Sequence, residues 1–137
     1  MTLYLETSFA FTYLARQEKS LATVIDRSKR IVTSILTIME IRRGLIRLEQ
    51  MREITAGERQ RVTAALADIS ADWTIFEIEP GIQKRAMESF PIEPVRTLDA
   101  IHLATALEFV RIYPDLAVAT LDKRIIQNLA PLGIPVI

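Results

Sequence analysis

The chain contains no cysteine, and its 137 residues include a single histidine, His102. Without cysteine, neither a disulfide framework nor a thiolate metal site can form. One histidine also argues against the multi-histidine sites in which zinc is commonly held. A metal ion bound by this chain would therefore be held mainly by oxygen atoms.

Glycine and long apolar segments are also scarce. The four glycines do not cluster, so the chain lacks the glycine-rich loop with which nucleotide-binding proteins cradle phosphates. No apolar run approaches the roughly 18 residues of a membrane-spanning helix. The first residues have neither the basic start nor the long apolar core of a signal peptide. These absences predict a soluble, cytoplasmic protein that does not associate with a membrane.

The formal net charge is zero, which argues against a protein whose whole surface binds nucleic acid. A local basic surface remains compatible with that balance. The length suits one domain, and the sequence shows no internal repeat, low-complexity tract or linker. We therefore expect a single domain over residues 1–137.

Short apolar segments alternate with longer stretches of helical periodicity. The expected strands are Thr2–Leu5, Arg30–Thr33, Trp73–Ile78, Leu116–Thr120 and Ile134–Ile137. The expected helices cover residues 9–15 (capped by Thr7-Ser8), 19–28, 34–52, 55–70, 81–89, 98–110 and 123–129. This alternation predicts an α/β fold, a three-layer α/β/α sandwich with a central parallel sheet of about five short strands.

Four acids, Glu6, Glu40, Asp99 and Asp122, fall just after a predicted strand or early in a helix next to one. In an open parallel sheet, ligands bind at the edge formed by the carboxyl ends of the strands. Acids brought together there repel, at a cost of about 4 kcal/mol for two charges 4 Å apart at an effective dielectric near 20. Such a cluster is readily explained as a site for a hard divalent cation, Mg²⁺ or Mn²⁺.

Each acid taken alone also has a structural explanation. Glu6 and Asp99 could compensate a helix dipole, and Asp122 could cap the helix that follows it. Glu40 could form an exposed ion pair with Arg43 three residues later. Four acids at one edge of the sheet are better explained by a shared site than by four separate coincidences.

Four segments carry these acids, and they resemble the four motifs of the PIN-domain nucleases in the same order. The third segment is the most specific, and the resemblance covers nearly the whole chain. Length and motif order are similar to those of the VapC-like toxins of toxin–antitoxin pairs. The segments are Tyr4–Phe9, Ser34–Ile41, Thr97–Ala106 and Ala119–Ile125.

The resemblance implies a PIN-like fold and a metal-dependent endoribonuclease. Glu6, Glu40, Asp99 and Asp122 would be the catalytic acids and would hold Mg²⁺ or Mn²⁺, and the RNA products would carry 5′-phosphate and 3′-hydroxyl ends. It also implies a homodimer and a cognate antitoxin protein. The antitoxin would insert a segment into the groove of the acids, often with a basic side chain.

The chain departs from the family at its first acid, where the usual residue is aspartate and this chain has Glu6. The extra methylene moves the carboxylate by roughly 1 Å or more, and Mg²⁺ tolerates little departure from octahedral geometry. The alternative is a PIN domain that binds RNA or protein without turnover. A phosphoacceptor receiver domain is a weaker alternative, because its middle strand should end in aspartate and the strand here ends Ile78-Glu79-Pro80.

Hydroxyl groups accompany the acids. Ser8 and Thr120 resemble family positions that orient a carboxylate or the attacking water, although Ser8 could equally cap a helix. His102 lies one helical turn after Asp99. A lone histidine on an apolar helix is most simply structural, and the sequence assigns it no catalytic role.

Basic and apolar residues near the acids suggest partner surfaces. Basic side chains on the Glu40 helix and beside Asp122 could hold RNA backbone without reading its sequence, although a solvated helix face explains them too. These are Arg42, Arg43, Arg47, Lys123 and Arg124, with Arg52 further along. A hydrophobic groove for the antitoxin could be lined by residues that could equally form the core, namely Phe9, Phe11, Tyr13, Leu45 and Leu48.

Overall fold

β1 is an internal strand of the sheet, as expected of a strand whose four residues, Thr2–Leu5, are all buried. The computed structural model describes residues 1–137. Its strands are β1 (Thr2–Leu5), β2 (Arg30–Ser34), β3 (Thr74–Phe76) and β4 (Leu116–Ala119). Its helices are α1 (Thr7–Ala15), α2 (Lys19–Asp26), α3 (Ile35–Gln50), α4 (Ala56–Ser70), α5 (Pro80–Ala86), α6 (Thr97–Ile112) and α7 (Lys123–Leu129).

All strand pairs are parallel, in the order β3-β2-β1-β4, so the predicted α/β fold with a central parallel sheet is confirmed. The expected fifth strand, Ile134–Ile137, is reduced to one parallel bridge between Val118 and Val136. The backbone nitrogen of Val118 donates to the carbonyl of Pro135 at 2.8 Å. Pro135 itself has no N–H to donate, which limits this segment as a ladder partner.

Side chains alternate along β1 and separate two apolar layers. Tyr4 joins the cluster that includes Leu103 and Phe109 of α6. Leu3 and Leu5 join the other cluster, which includes residues of α1, α3 and α4. Helices thus cover both faces of the sheet, as the three-layer prediction requires. No helix is both long and apolar enough to cross a membrane.

Helix starts place the acids, and one start differs from the prediction. Ser34 caps α3 and Asp122 caps α7, both as expected. The cap of α1 is Glu6, whereas the sequence suggested Thr7-Ser8. The helix begins two residues earlier than predicted because the Glu6 carboxylate folds back to accept the backbone N–H of Ser8 at 3.0 Å.

The third strand is shorter than the predicted Trp73–Ile78. Only Thr74–Phe76 pair with β2, and the pairing stops at Phe76 because its partner, Ser34, is the last residue of β2. The same strand-to-helix junction begins α3, which carries Glu40 in its second turn. Glu6 directly follows β1, and its backbone nitrogen donates to the carbonyl of Ala119 in β4 at 3.0 Å. The first and last acids are therefore attached to neighbouring strand ends.

Candidate active site

Glu6 is a buried carboxylate with one oxygen fully engaged. Only 4% of the residue is exposed. Its Oε2 accepts the backbone N–H of Ser8 at 3.0 Å, the hydroxyl of Thr120 at 2.6 Å and the hydroxyl of Ser8. Its Oε1 makes no hydrogen bond and lies 3.9 Å from Nε2 of His102. The longer side chain is thus held at one oxygen and leaves the other available.

Ser8 and Thr120 connect Glu6 to the segment that carries Asp122. Their hydroxyl oxygens lie 3.3 Å apart. Ser8 Oγ accepts the backbone N–H of Leu121 at 2.8 Å, and Thr120 Oγ1 accepts that of Asp122 at 3.1 Å. Two side-chain hydroxyls therefore tie the end of β1 to the turn after β4, and they fix the spacing between two of the acids.

Glu40 reaches the same region from α3. Its Oε1 accepts the Thr7 hydroxyl at 2.7 Å and lies 2.7 Å from Nε2 of His102. Burial by itself would raise the pKa of Glu40, but the hydrogen bonds from His102 and Thr7 and the charge of His102 lower it overall. The carboxylate is therefore ionised at neutral pH, with Oε2 free of these contacts. The exposed ion pair with Arg43 suggested by the sequence does not form.

Asp99 is the unsatisfied member of the group. It lies in the first turn of α6, and its Oδ2 is buried without any hydrogen-bond partner. Burial and the negative charges of Asp122 and Glu6 raise the pKa of Asp99, although His102 and Arg124 oppose the shift. Leaving a buried polar atom unpaired costs roughly 1–3 kcal/mol. A cation at this oxygen would remove that cost.

Asp122 combines a structural role with a free oxygen. Its Oδ1 caps α7 by accepting the backbone N–H of Arg124 at 2.8 Å and of Ile125 at 3.4 Å. Its Oδ2 makes no hydrogen bond, so the capping role confirmed here leaves one oxygen for a ligand. In Glu6, Glu40 and Asp122 alike, one carboxylate oxygen accepts hydrogen bonds from the protein and the other accepts none.

The four acids line one open cavity of about 710 Å³, together with Thr7, Ser8, Arg16, Arg47 and Leu48. No three Asp, Glu or His side chains are yet gathered closely enough to enclose a metal ion. The donor chemistry nonetheless fits Mg²⁺ or Mn²⁺, because the cavity offers hard carboxylate oxygens and one of them is a buried orphan. Part-exposed Asp122 and Asp99 are the members with room to turn toward an ion.

The five basic residues suggested as RNA contacts lie at different distances from the acid cavity. Arg43 and Arg47 line a second cavity of about 710 Å³ along α3, and Arg47 also borders the acid cavity. Arg42 lines neither cavity. Lys123 and Arg124 are exposed at the start of α7, beside Asp122. None of these five forms an ion pair, so their charges are available to a ligand.

The suggested hydrophobic groove is only partly formed by the expected residues. Phe9 and Leu45 are buried in the core and do not line a groove. Phe11 and Leu48 line the acid cavity. Tyr13 lines a separate groove of about 680 Å³ between α1, α2 and α4, and Glu18 borders both this groove and the acid cavity.

Three residues at the site received no site role from the sequence. Thr7 and His102 contact Glu40 directly, and Arg16 borders the acid cavity from the end of α1. For His102 a signal was present, since residues three apart share a helix face and Asp99 is three positions earlier. For Arg16 no signal existed, because its position depends on how α1 packs across α3.

Comparison with known proteins identifies the family of this chain. The family model of the PIN domain matches residues 3–130. The chain belongs to the PIN-domain family. This PIN domain is 33% identical over 140 residues to the ribonuclease VapC35 of Mycobacterium tuberculosis, an alignment that covers 98% of this chain and 95% of VapC35. The predicted resemblance to VapC-like PIN domains is therefore confirmed.

Solved structures share the fold at low sequence identity. VapBC2 from Rickettsia felis, bound to a DNA fragment from its promoter, aligns with a TM-score of 0.70 at 10% identity, covering 100% of this chain and 98% of that one. VapC20 of Mycobacterium tuberculosis, a toxin that cleaves the sarcin-ricin loop, aligns with a TM-score of 0.63 at 16% identity, covering 96% and 95%. At these identities the likeness establishes the fold of the PIN domain.

Proposed function

We propose that this PIN domain is a metal-dependent endoribonuclease and the toxin of a toxin–antitoxin pair. The observation that carries the proposal is the buried, unpartnered Oδ2 of Asp99 in a cavity lined by three further acids. Such an arrangement weakens the apo fold, and a divalent cation at the site would compensate for it. The 33% identity to a VapC ribonuclease supports the same activity.

Glu6, Glu40, Asp99 and Asp122 would hold one or two Mg²⁺ or Mn²⁺ ions. When bound, such a cation activates water as a nucleophile and stabilises charge on a phosphodiester. The chain itself orients the ligands. Ser8 and Thr120 hold Glu6 through Oε2 and leave Oε1 without a hydrogen bond. Thr7 and His102 hold Oε1 of Glu40, and the lowered pKa of Glu40 keeps that carboxylate charged.

The free Oε1 bears on the alternative that Glu6 has abolished turnover. A glutamate whose two oxygens were both tied to the protein could not bind a cation. Here only Oε2 is tied, and Oε1 lies 3.9 Å from Nε2 of His102, the nitrogen that also contacts Glu40. This geometry favours a working, monodentate ligand over a PIN domain that only binds RNA or protein.

RNA would lie over the unpaired basic side chains around the acid cavity. Arg47 and Arg16 border that cavity, Arg43 lies beside it, and Lys123 and Arg124 flank Asp122. Phosphate contacts of this kind hold the backbone without reading bases. Arg42 lines neither cavity, so we expect its contribution to be smaller than that of Arg47.

The cognate antitoxin would occupy the groove between α1, α2 and α4. Apolar side chains including Tyr13, Leu14 and Ile69 line it, and its end at Glu18 opens toward the acids. A segment that fills the groove could therefore extend a basic side chain to the carboxylates. The homodimer implied by the resemblance would use the exposed apolar face of Met39, Ile46 and Leu98, which are 54%, 37% and 47% exposed. Sedimentation at several concentrations tests the dimer.

The decisive test is cleavage of total RNA by purified, antitoxin-free protein with Mg²⁺, with Mn²⁺ and with a chelator. We expect cleavage with a metal and none with the chelator, and ends that carry 5′-phosphate and 3′-hydroxyl groups. Asp99→Asn serves as the matched inactive variant. Cleavage that persists in the chelator, or no cleavage with either metal, would reject the proposed enzyme.

A further inference from the structure

A chain of hydrogen bonds runs from the core of the protein to the acid cavity. The hydroxyl of Tyr4 lies 2.8 Å from Nδ1 of His102, and Nε2 of His102 lies 2.7 Å from Oε1 of Glu40. Tyr4 is 1% exposed and His102 is 2% exposed. The phenol comes from β1 and the imidazole from α6, so β1 supports one carboxylate oxygen of Glu40 through His102.

The direction of the hydrogen bond between His102 and Glu40 follows from the acceptor. An ionised Glu40 can only accept, so the short contact with His102 requires a proton on Nε2. Nδ1 accepts the Tyr4 hydroxyl when the ring is neutral and donates to the phenol oxygen when the ring is protonated, so the hydrogen bonds are continuous in both states. The contact of 2.8 Å between the Tyr4 hydroxyl and Nδ1 therefore braces the ring from the side opposite to Glu40.

Thr7 completes the clamp on Glu40. Its hydroxyl donates to the same Oε1 at 2.7 Å and lies 3.1 Å from Nε2 of His102. Two donors on one oxygen fix the rotation of the carboxylate, because the second oxygen must then point away from His102. A carboxylate whose orientation is fixed in advance loses less freedom when it binds a cation.

We propose that Tyr4 and His102 are positioning residues that hold Oε1 of Glu40, leave Oε2 to the cation, and so strengthen metal binding. This inference rests on the proposed metal site. A structural role alone would be met by apolar side chains of similar volume in this core. Instead the fold buries a hydroxyl and an imidazole and satisfies both polar ring atoms in a line that ends at a cavity carboxylate.

The test measures Mn²⁺ binding to RNA-free, antitoxin-free protein by titration calorimetry, with thermal unfolding recorded in parallel. We expect His102→Leu to weaken Mn²⁺ binding by about tenfold or more. His102→Gln should lose less, since its amide can still donate to Glu40. Tyr4→Phe, which keeps the ring packed against Phe109, should weaken binding by roughly threefold.

The matched control is Tyr113→Phe. Tyr113 also packs on Phe109, and its hydroxyl takes part in no hydrogen bond, so its removal should leave Mn²⁺ affinity unchanged. The proposed metal site has its own control. Asp99→Asn should weaken Mn²⁺ binding whether or not His102 positions Glu40. If Asp99→Asn weakens binding while Tyr4→Phe, His102→Gln and His102→Leu match the wild type, the positioning role is wrong and the site stands. A wild type that does not bind Mn²⁺ would overturn both.

Discussion

Glu6 and Asp99 line the same cavity, but their carboxylates differ in how well the protein satisfies them with hydrogen bonds. Glu6 is almost fully buried, and one oxygen accepts three hydrogen bonds. Asp99 is more exposed, yet its Oδ2 is buried without a partner, and burial and neighbouring acids raise its pKa. The end of β1 is therefore a preformed part of the site. The start of α6 carries the carboxylate oxygen without a partner, and the proposed cation would compensate for it.

The largest effect should come from removing the strained acid. Asp99→Asn should reduce metal-dependent RNA cleavage by more than about 100-fold, because it removes a proposed ligand. The same change should raise the free energy of unfolding of metal-free protein by about 1 kcal/mol, since it removes a charge from an unfavourable place. Cleavage assays and thermal unfolding with a chelator present measure the two effects.

The pH dependence of the stability gained in Asp99→Asn tests whether the charge of Asp99 causes it. Because the folded-state pKa of Asp99 is raised, ionisation of Asp99 destabilises the fold once the pH exceeds the ordinary aspartate value of about 4. The gain from Asp99→Asn should therefore be present at neutral pH and disappear below about pH 4. Asp72→Asn, an exposed and unpaired position, is the control and should change little. A loss of stability in Asp99→Asn would identify Asp99 as a structural residue.

Removing the charge of Glu6 should lower the stability of the protein, whereas removing the charge of Asp99 should raise it. Glu6→Gln should lose most cleavage and also destabilise the protein by about 1–2 kcal/mol, because three donors lose a charged acceptor. Glu6→Asp should preserve or increase cleavage, since aspartate has the reach usual in the family and is itself a good helix cap. The comparison uses three proteins, one RNA pool and both metals.

Two outcomes would change the interpretation of Glu6. Equal cleavage by the wild type and Glu6→Gln would remove Glu6 from the site and leave a three-acid centre. A wild type inert with Mg²⁺ and Mn²⁺, with some cleavage recovered in Glu6→Asp, would indicate that the site had been adapted to binding.

Glu40 gives a third test, in which stability changes in the direction opposite to Asp99. Its pKa is lowered, so its ionised form stabilises the fold above the ordinary glutamate value near 4 and this contribution is lost as the pH falls through the lower, folded-state pKa. Glu40→Gln should therefore lower the free energy of unfolding by about 1 kcal/mol at pH 7, and by less in acid. Chemical denaturation at pH 7 and below pH 4 measures the difference. A stabilised Glu40→Gln would contradict the clamp formed by Thr7 and His102.

The parts of the site that the sequence revealed are those set by local chain geometry. A cap such as Asp122 is visible because the helix start and the side chain are neighbours in sequence. The contacts of Tyr4 with His102 and of Thr7 with Glu40 join residues 98 and 33 positions apart. Periodicity assigns such residues to a face, and tertiary packing decides which atoms meet. The same limit explains why Phe9 entered the core while Phe11 reached the cavity.

The smallest effect should be a difference in RNA binding between variants of two arginines of α3, Arg42 and Arg47. Arg47 borders the acid cavity and Arg42 does not, although both are exposed and unpaired. If Arg47 contacts a phosphate, Arg47→Gln in the inactive Asp99→Asn background should weaken RNA binding a few-fold and reduce the slope of log affinity against log salt by about 0.7, the value for one single-strand phosphate contact. Arg42→Gln should change neither quantity measurably. Fluorescence anisotropy with one labelled RNA at several salt concentrations measures both, and equal slopes for the two variants would mean that α3 supplies only a diffuse positive field.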